Sequence, residues 1–223
     1  MKAWKVLPVF SLALLWSVTA FAQDPTKVAA ANYKVILENP SVRILRITYK
    51  PGAKSAPHSH PEAVVIPLVT SKVQFTGTDG KSEERELASE AAMFVPAETH
   101  SVVNTGTGPV DAILVEFKSK APGTATLPDT RTNLGMKHIA DSPRAVVYRA
   151  TAEPSFQEPA GSKHEFDQVV ISLSDAQMSL AIDGKPAKTK WTRGEVQFIP
   201  RGVAHESKNT GTKATDFVIV AIK

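Results

Sequence analysis

Pro96-Ala97-Glu98-Thr99-His100-Ser101-Val102-Val103-Asn104-Thr105-Gly106-Thr107 returns about one hundred residues later as Pro200-Arg201-Gly202-Val203-Ala204-His205-Glu206-Ser207-Lys208-Asn209-Thr210-Gly211-Thr212. Each version has a further histidine group upstream: His58-Ser59-His60 before the first and His164 before the second. Five of the six histidines therefore belong to the pattern. Working outward, Val42-Arg43-Ile44-Leu45-Arg46 matches Ala145-Val146-Val147-Tyr148-Arg149, and Val64-Val65-Ile66-Pro67-Leu68 matches Val169-Val170-Ile171-Ser172-Leu173. Asp79-Gly80-Lys81 matches Asp183-Gly184-Lys185, and Phe94-Val95-Pro96 matches Phe198-Ile199-Pro200, always at an offset of 103 to 105. An offset so narrowly held over so many segments means one ancestral unit copied in tandem.

Each copy reads as all-β. Short runs of Val, Ile, Phe and Thr are punctuated by turn signals, with Asp-Gly the strongest hairpin marker. No stretch beyond the first residues carries a helical period. Evenly spaced short strands in a compact unit predict a β-barrel or jelly-roll-like sandwich, which limits exposed sheet edges.

Lys2 and Lys5 precede an apolar run from Val6 to Ala20, and Ala20-Phe21-Ala22 has the small-x-small form of a cleavage site. Residues 1–22 therefore read as a cleaved signal peptide, too short in its apolar run for a comfortable membrane span. Taking those 22 residues from 223 leaves 201 and removes two of the 26 basic side chains. The mature chain is then nearly balanced against 22 acidic groups, without basic blocks, so no nucleic-acid partner is expected. A periplasmic or secreted location follows, without stable membrane insertion. Residues 23–32 read as a flexible N-terminus, 33–120 as the first domain, 121–137 as a Pro/Thr/Gly linker or strap, and 138–223 as the second domain. The chain has no cysteine, so any metal must be held by imidazole, carboxylate or amide.

Side chains at i and i+2 of a strand share a face, so His58 and His60 can aim two imidazoles into one barrel mouth. His100, from a distant strand, can complete a three-nitrogen face for a divalent ion and leave positions open. In the second copy Phe166 stands at the second position of the His-x-His pair. His164 and His205 then form a weaker site that would need Asp167 or Gln168. Asn104 and Asn209, each in Asn-Thr-Gly, read as turn chemistry. There is no Gly-x-Ser-x-Gly elbow and no phosphate-binding glycine loop.

With these residues the chain resembles the cupin superfamily, and its two-domain bicupins in particular. The family's first motif, Gly-x5-His-x-His followed by Glu, is met by Gly52, His58 and His60, but Val64 and Val65 stand where the Glu belongs. The second, Gly-x5-Pro-x-Gly-x2-His-x3-Asn, is met in full by Gly194, Pro200, Gly202, His205 and Asn209. The first copy has Glu90 in place of the first Gly and is one residue shorter before His100. The resemblance implies a tandem pair of cupin-type barrels and a metal site at His58, His60 and His100, with Glu62 a further candidate ligand. Fe, Mn or Ni is the favoured metal, with Zn or Cu also compatible. It implies a dioxygenase-type oxidoreductase acting on a small organic substrate, with Glu62 or Glu98 as candidate general base. Two other readings remain open: a non-catalytic binding protein for a small polar ligand, and a metal-free structural bicupin. The resemblance also makes a homodimer an expectation.

Overall fold

The computed structural model describes residues 23–118, 123–127 and 130–223; the expected leader at residues 1–22 lies outside the described residues. A single helical turn, α1 (Pro25–Val28), precedes the first half. There follow β1 (Tyr33–Glu38), β2 (Val42–Tyr49), β3 (His58–His60), β4 (Ala63–Pro67), β5 (Ser71–Gly77), β6 (Ser82–Leu87), β7 (Met93–Val95), β8 (Glu98–Asn104) and β9 (Val110–Phe117). The second half holds β10 (Thr130–Arg131), β11 (Leu134–Asp141), β12 (Ala145–Ala152), β13 (Asp167–Ser172), β14 (Met178–Ile182), β15 (Lys185–Lys188), β16 (Val196–Ile199), β17 (His205–Asn209) and β18 (Thr215–Ile222).

In the first half the sheet β1-β2-β9-β4-β7 faces the sheet β3-β8-β5-β6; in the second, β10-β11-β12-β18-β13-β16 faces β15-β14-β17. The two sheets of each half enclose an interior in jelly-roll fashion without closing into one hydrogen-bonded ring. Apart from β10, which has no counterpart in the first half, the copies match strand for strand except at β3. There the second half keeps only an isolated bridge between Ser162 and His205, where the first pairs His58 with His100.

The large sheets are apolar on both faces, as their near-continuous Val/Ile/Leu runs require. In β2, Leu45 and Tyr49 face the first interior, while Val42 and Ile44 face away from it. The outward side chains meet their repeat partners. Val42, Ile44, Val64, Ile66, Leu68, Ile113, Val115 and Phe117 pack on Ala145, Val147, Val169, Ile171, Leu173, Val218, Val220 and Ile222, all buried. With eight buried apolar side chains from each copy, the halves share a sheet-on-sheet core rather than merely a tether.

Matching ion pairs flank that joint. Arg46 binds both oxygens of Asp111, at 2.5 and 2.6 Å, and reaches Gly194 O at 3.2 Å. Its repeat partner Arg149 binds Asp216 at 3.1 Å and reaches Glu90 at 2.6 Å. Gly194 and Glu90 occupy the same motif position, and both have left-handed φ, +81° and +65°. A Cβ on Gly194 would fall onto the Arg46 guanidinium and 2.6 Å from Leu68 Cδ1. Glu90 carries its side chain clear of such a clash and extends it to Arg149 and Arg193 of the other half.

Two stretches differ from the sequence reading. Residues 23–32 are not a free arm: Asp24 caps α1 by accepting from Thr26 N at 2.8 Å, Ala29 and Tyr33 are buried, and Arg43 bridges Asp24 to the buried Glu116. Ser59 N also donates to Gln23 O at 3.1 Å, tying this segment to β3. Residues 134–137, read as linker, lie in β11 and pair with β12, with Leu134 buried inside the second half. Ala125 and Leu127 pack against Val146, Tyr148, Phe166 and Ala221 of the second half. His138 is exposed on β11.

Candidate metal centre

β3 is three residues long and alternates buried, intermediate, buried, so His58 and His60 point to the same side as the spacing requires. Pairing with β8 places His58 opposite His100 and His60 opposite Glu98. Each ring is anchored through Nδ1. His58 Nδ1 lies 2.9 Å from Ala56 O, His60 Nδ1 3.0 Å from Pro61 O, and His100 Nδ1 3.0 Å from Glu98 Oε1. A donor at Nδ1 leaves the lone pair on Nε2, which is how outer hydrogen bonds prepare imidazoles for metal.

Ligand atoms of His60, Glu98 and His100 all lie within 4.8 Å of one another. His58 stands beside this group. Its ring centroid is 5.0 Å from that of His100 and 4.9 Å from that of Tyr33, and its Nε2 is buried without a hydrogen-bond partner. An orphaned buried nitrogen is costly in an apolar surround, and a cation would relieve that cost. Burial holds the His100 imidazolium unfavourable and pushes its pKa down to about 4, with His60 and His58 adding to the effect. Burial also lowers His58, against the bond to Ala56 O. Both rings are thus kept neutral, the protonation state that ligates metal.

The two carboxylate candidates separate cleanly. Glu98 lies at the cluster. Glu62 is half exposed and paired with Arg144 of the second half at 3.1 Å, so it is directed to the joint's surface. The joint supplies a cation that the local sequence does not show. Val64 is buried in the shared core, while Val65 faces the first interior.

His60, Glu98 and His100 stand at one end of a cavity of about 280 Å³. Its other walls include Tyr49, Val65, Phe75, Met93, Val102 and Leu114, with Arg85 at its edge. Such a lining suits an apolar molecule with few polar handles better than the small polar ligand considered from sequence. Arg43 and Glu116 form a buried ion pair across β2 and β9. Their counterparts are Val146 and Ala221, so a buried ion pair on one side corresponds to an apolar pair on the other.

The second half departs from its sequence alignment. Strand register places Ser162 where His58 stands and His164 where His60 stands; one extra residue before β13 restores the frame. Phe166 fills the interior end as apolar bulk, stacked on His164 with centroids 5.2 Å apart. Asp167 accepts from Ser41 Oγ and Arg201 N, both at 2.8 Å, and takes no part in the cluster. The carboxylate present is one the sequence reading missed, Glu158, whose oxygens lie 3.9 Å from His164 Nε2 and 3.4 Å from His205 Nε2. Glu158 occupies the place of Ser55, since its N–H bonds Ser207 O as Ser55 N–H bonds Val102 O. Only that backbone correspondence could have flagged it. The cavity here is about 70 Å³ and includes Gln168 in its wall.

Asn104 and Asn209 repeat one arrangement. Asn104 Nδ2 donates to Tyr49 O at 3.1 Å and Gly108 O at 2.9 Å, while its Oδ1 accepts from Gly106 N at 3.0 Å. Asn209 does the same with Ala152 O, Lys213 O and Gly211 N, each at 2.9 Å.

The same fold recurs in solved structures. AerE from Microcystis aeruginosa superposes with a TM-score of 0.64 at 15% identity, covering 86% of this chain and 97% of that one. A cupin 2 conserved barrel domain protein from Leptotrichia buccalis matches with a TM-score of 0.55 at 12% identity, over 86% and 88% of the two chains. The chain has the cupin fold. Among further cupin-fold matches is salicylate 1,2-dioxygenase from Pseudoaminobacter salicylatoxidans, crystallised as adducts with gentisate, with a TM-score of 0.61 at 12% identity over 83% and 70% of the chains. Sequence similarity links this chain to germin-like protein subfamily 2 member 2 of Arabidopsis thaliana, 33% identical over 109 residues, 46% of this chain and 49% of that protein. Germin-like protein 1-1 of Oryza sativa subsp. japonica is 32% identical over 111 residues, 47% and 51% of the two. The chain thus spans about half the length of the curated relatives it matches. No family model matches the sequence. Among the described residues no helix is long and apolar enough to cross a membrane.

Proposed function

We propose that the first half of this cupin is a divalent-metal centre opening on an apolar cavity, and that the protein is a dioxygenase-type oxidoreductase acting on a small organic molecule. The observation that carries this reading is the convergence of His60, His100 and Glu98 at the end of the cavity, beside the orphaned Nε2 of His58. The donor set fits: imidazoles held by Nδ1, with Nε2 left to ligate, suit Fe, Mn or Ni, and also Zn or Cu. A bound ion would supply Lewis-acid polarisation and access to dioxygen chemistry. The protein's own groups have separable tasks. His60 and His100 hold the ion with His58 as the third imidazole. Glu98 orients His100 through Nδ1 and is placed to take a proton from a molecule in the cavity. Val65, Phe75 and Leu114 exclude water around it. Likeness to a dioxygenase crystallised with gentisate supports this reaction class by fold analogy.

Val65 favours a second reading, a metal-holding receptor without turnover, because it faces the interior where the family pattern has a carboxylate. X-ray absorption on protein loaded with Fe(II), Mn(II) or Ni(II) tests the centre. Imidazole scattering from at least two rings is expected, and its loss in His60→Ala; a purely oxygen-coordinated ion would refute it. Oxygen consumption with small aromatic and aliphatic acids, which the receptor reading forbids, separates the two. Export and self-pairing belong to the same proposal. Exported protein would begin at Gln23, as N-terminal sequencing would show. A dimer would place the edge strand β1, with Val35 and Ile36 exposed, against a second copy, as light scattering of variants there would show.

A further inference from the structure

We propose that the second half holds a latent metal site, Glu158–His164–His205, which the Arg131 guanidinium keeps closed by standing in the cation's place. Ligand atoms of the three residues lie within 4.8 Å of one another, as those of the first-half cluster do. The His164 and His205 ring centroids are 4.8 Å apart, against 5.0 Å for His60 and His100. The ligand set differs from the first, because Glu158 enters from the segment before the histidines and Ser162 replaces the remaining imidazole.

Arg131 decides the outcome. From β10 it ion-pairs with Glu158 Oε1, while Ser207 Oγ donates to Oε2 at 3.0 Å. The Glu158 side chain is only 4% exposed, so its charge needs a cation, and Arg131 is the one supplied. Both carboxylate oxygens are thereby engaged on the side the histidines face. A divalent ion entering this small cavity would meet a guanidinium already neutralising its only anionic ligand. Burial, with His205 and Arg131 adding to it, lowers the pKa of His164 to about 4, so this imidazole stays uncharged beside the pair. The charge of Glu158 is thus balanced without metal, and the unpartnered buried atom in this cavity's wall is the amide Nε2 of Gln168, whereas in the first half it is an imidazole nitrogen, His58 Nε2, that is left unsatisfied. This asymmetry is independent of whether the first half is catalytic.

The test counts Zn(II) on the full chain after chelator treatment, by titration and by elemental analysis after gel filtration. Arg131→Met should add one equivalent over wild type. In a His100→Ala background the count should rise from none to one, and Glu158→Gln should abolish the gain. Arg131→Met should also melt lower in chelator and recover on adding Zn(II), because the buried carboxylate then has no other cation. Arg131→Gln serves if Arg131→Met does not fold. A folded Arg131 variant that gains no Zn(II) overturns the proposal. So does a second half that takes up Zn(II) with Arg131 in place and loses it in Glu158→Gln. That second result is readable even if both Arg131 variants fail to fold.

Discussion

Replacing Asn104 with Ala should destabilise the protein strongly while leaving the metal centre's composition untouched. The amide is 1% exposed and makes three hydrogen bonds, donating to Tyr49 O and Gly108 O and accepting from Gly106 N. A buried neutral bond contributes about 1 kcal/mol net, and a buried partner left unsatisfied costs about 1–3 kcal/mol. Three bonds lost, with partial rescue by water at the turn, give about 3 kcal/mol. For a domain of this size that is a fall in Tm of about 6–12 °C. Asn209→Ala should cost a similar amount, because its three bonds repeat the arrangement at 2.9 Å. Asn104→Asp keeps the acceptor but loses both donors and sets a charge against two carbonyls, so it should be no milder than Ala. The assay is urea unfolding, where the midpoint should shift with little change in slope. Metal bound per folded chain should stay at the wild-type value. A change below about 0.5 kcal/mol at both positions, or loss of metal without loss of Tm, would refute the structural role.

Further consequences follow from the same contacts. Residues 33–118 expressed alone should aggregate or expose dye-binding surface, since eight apolar side chains of the shared core would face water; a monomeric half with a cooperative transition would contradict that packing. Gly194→Ala should cost about 2 kcal/mol or more, combining a left-handed φ with a collision on Arg46, whereas Glu90→Gly should be mild if Arg149 keeps Asp216; melting curves decide. In chelator-treated protein, stability should be flat above about pH 6.5 and fall from there toward about pH 4. The pKa values of His58, His100 and His164 are lowered on folding, so between these limits the unfolded chain binds the extra protons. Urea midpoints that rise as the pH drops through this window would reverse the sign.

Much of the architecture was legible because it rests on local periodicities. The repeat, the Val/Ile runs and the Asp-Gly turns specify paired strands wherever they occur, and i, i+2 spacing alone puts His58 and His60 on one face. Asn-Thr-Gly likewise carries its own turn chemistry. Long-range pairings were not legible. Glu62 looked available beside its histidines until Arg144, from the other copy, drew it outward. Glu158 lay outside any motif, and only the bond from its N–H to Ser207 O shows that it takes the place of Ser55. One extra residue before β13 hid the substitution of Ser162 for His58, since sequence matching aligned His164 with the wrong partner. Nor does composition distinguish a tethered pair of domains from two sheets sharing a core. An outward residue such as Ile44 and an inward one such as Leu45 read alike when both faces are buried.

The account stands most directly on the metal content of the full chain. After loading with Mn(II), Fe(II) or Ni(II) and removal of excess ion, wild type should carry close to one equivalent. That equivalent should disappear in His60→Ala and His100→Ala and survive in His205→Ala. A wild-type chain that takes up no metal, or one that loses it in His205→Ala and keeps it in His100→Ala, would contradict the assignment of the centre to the first half.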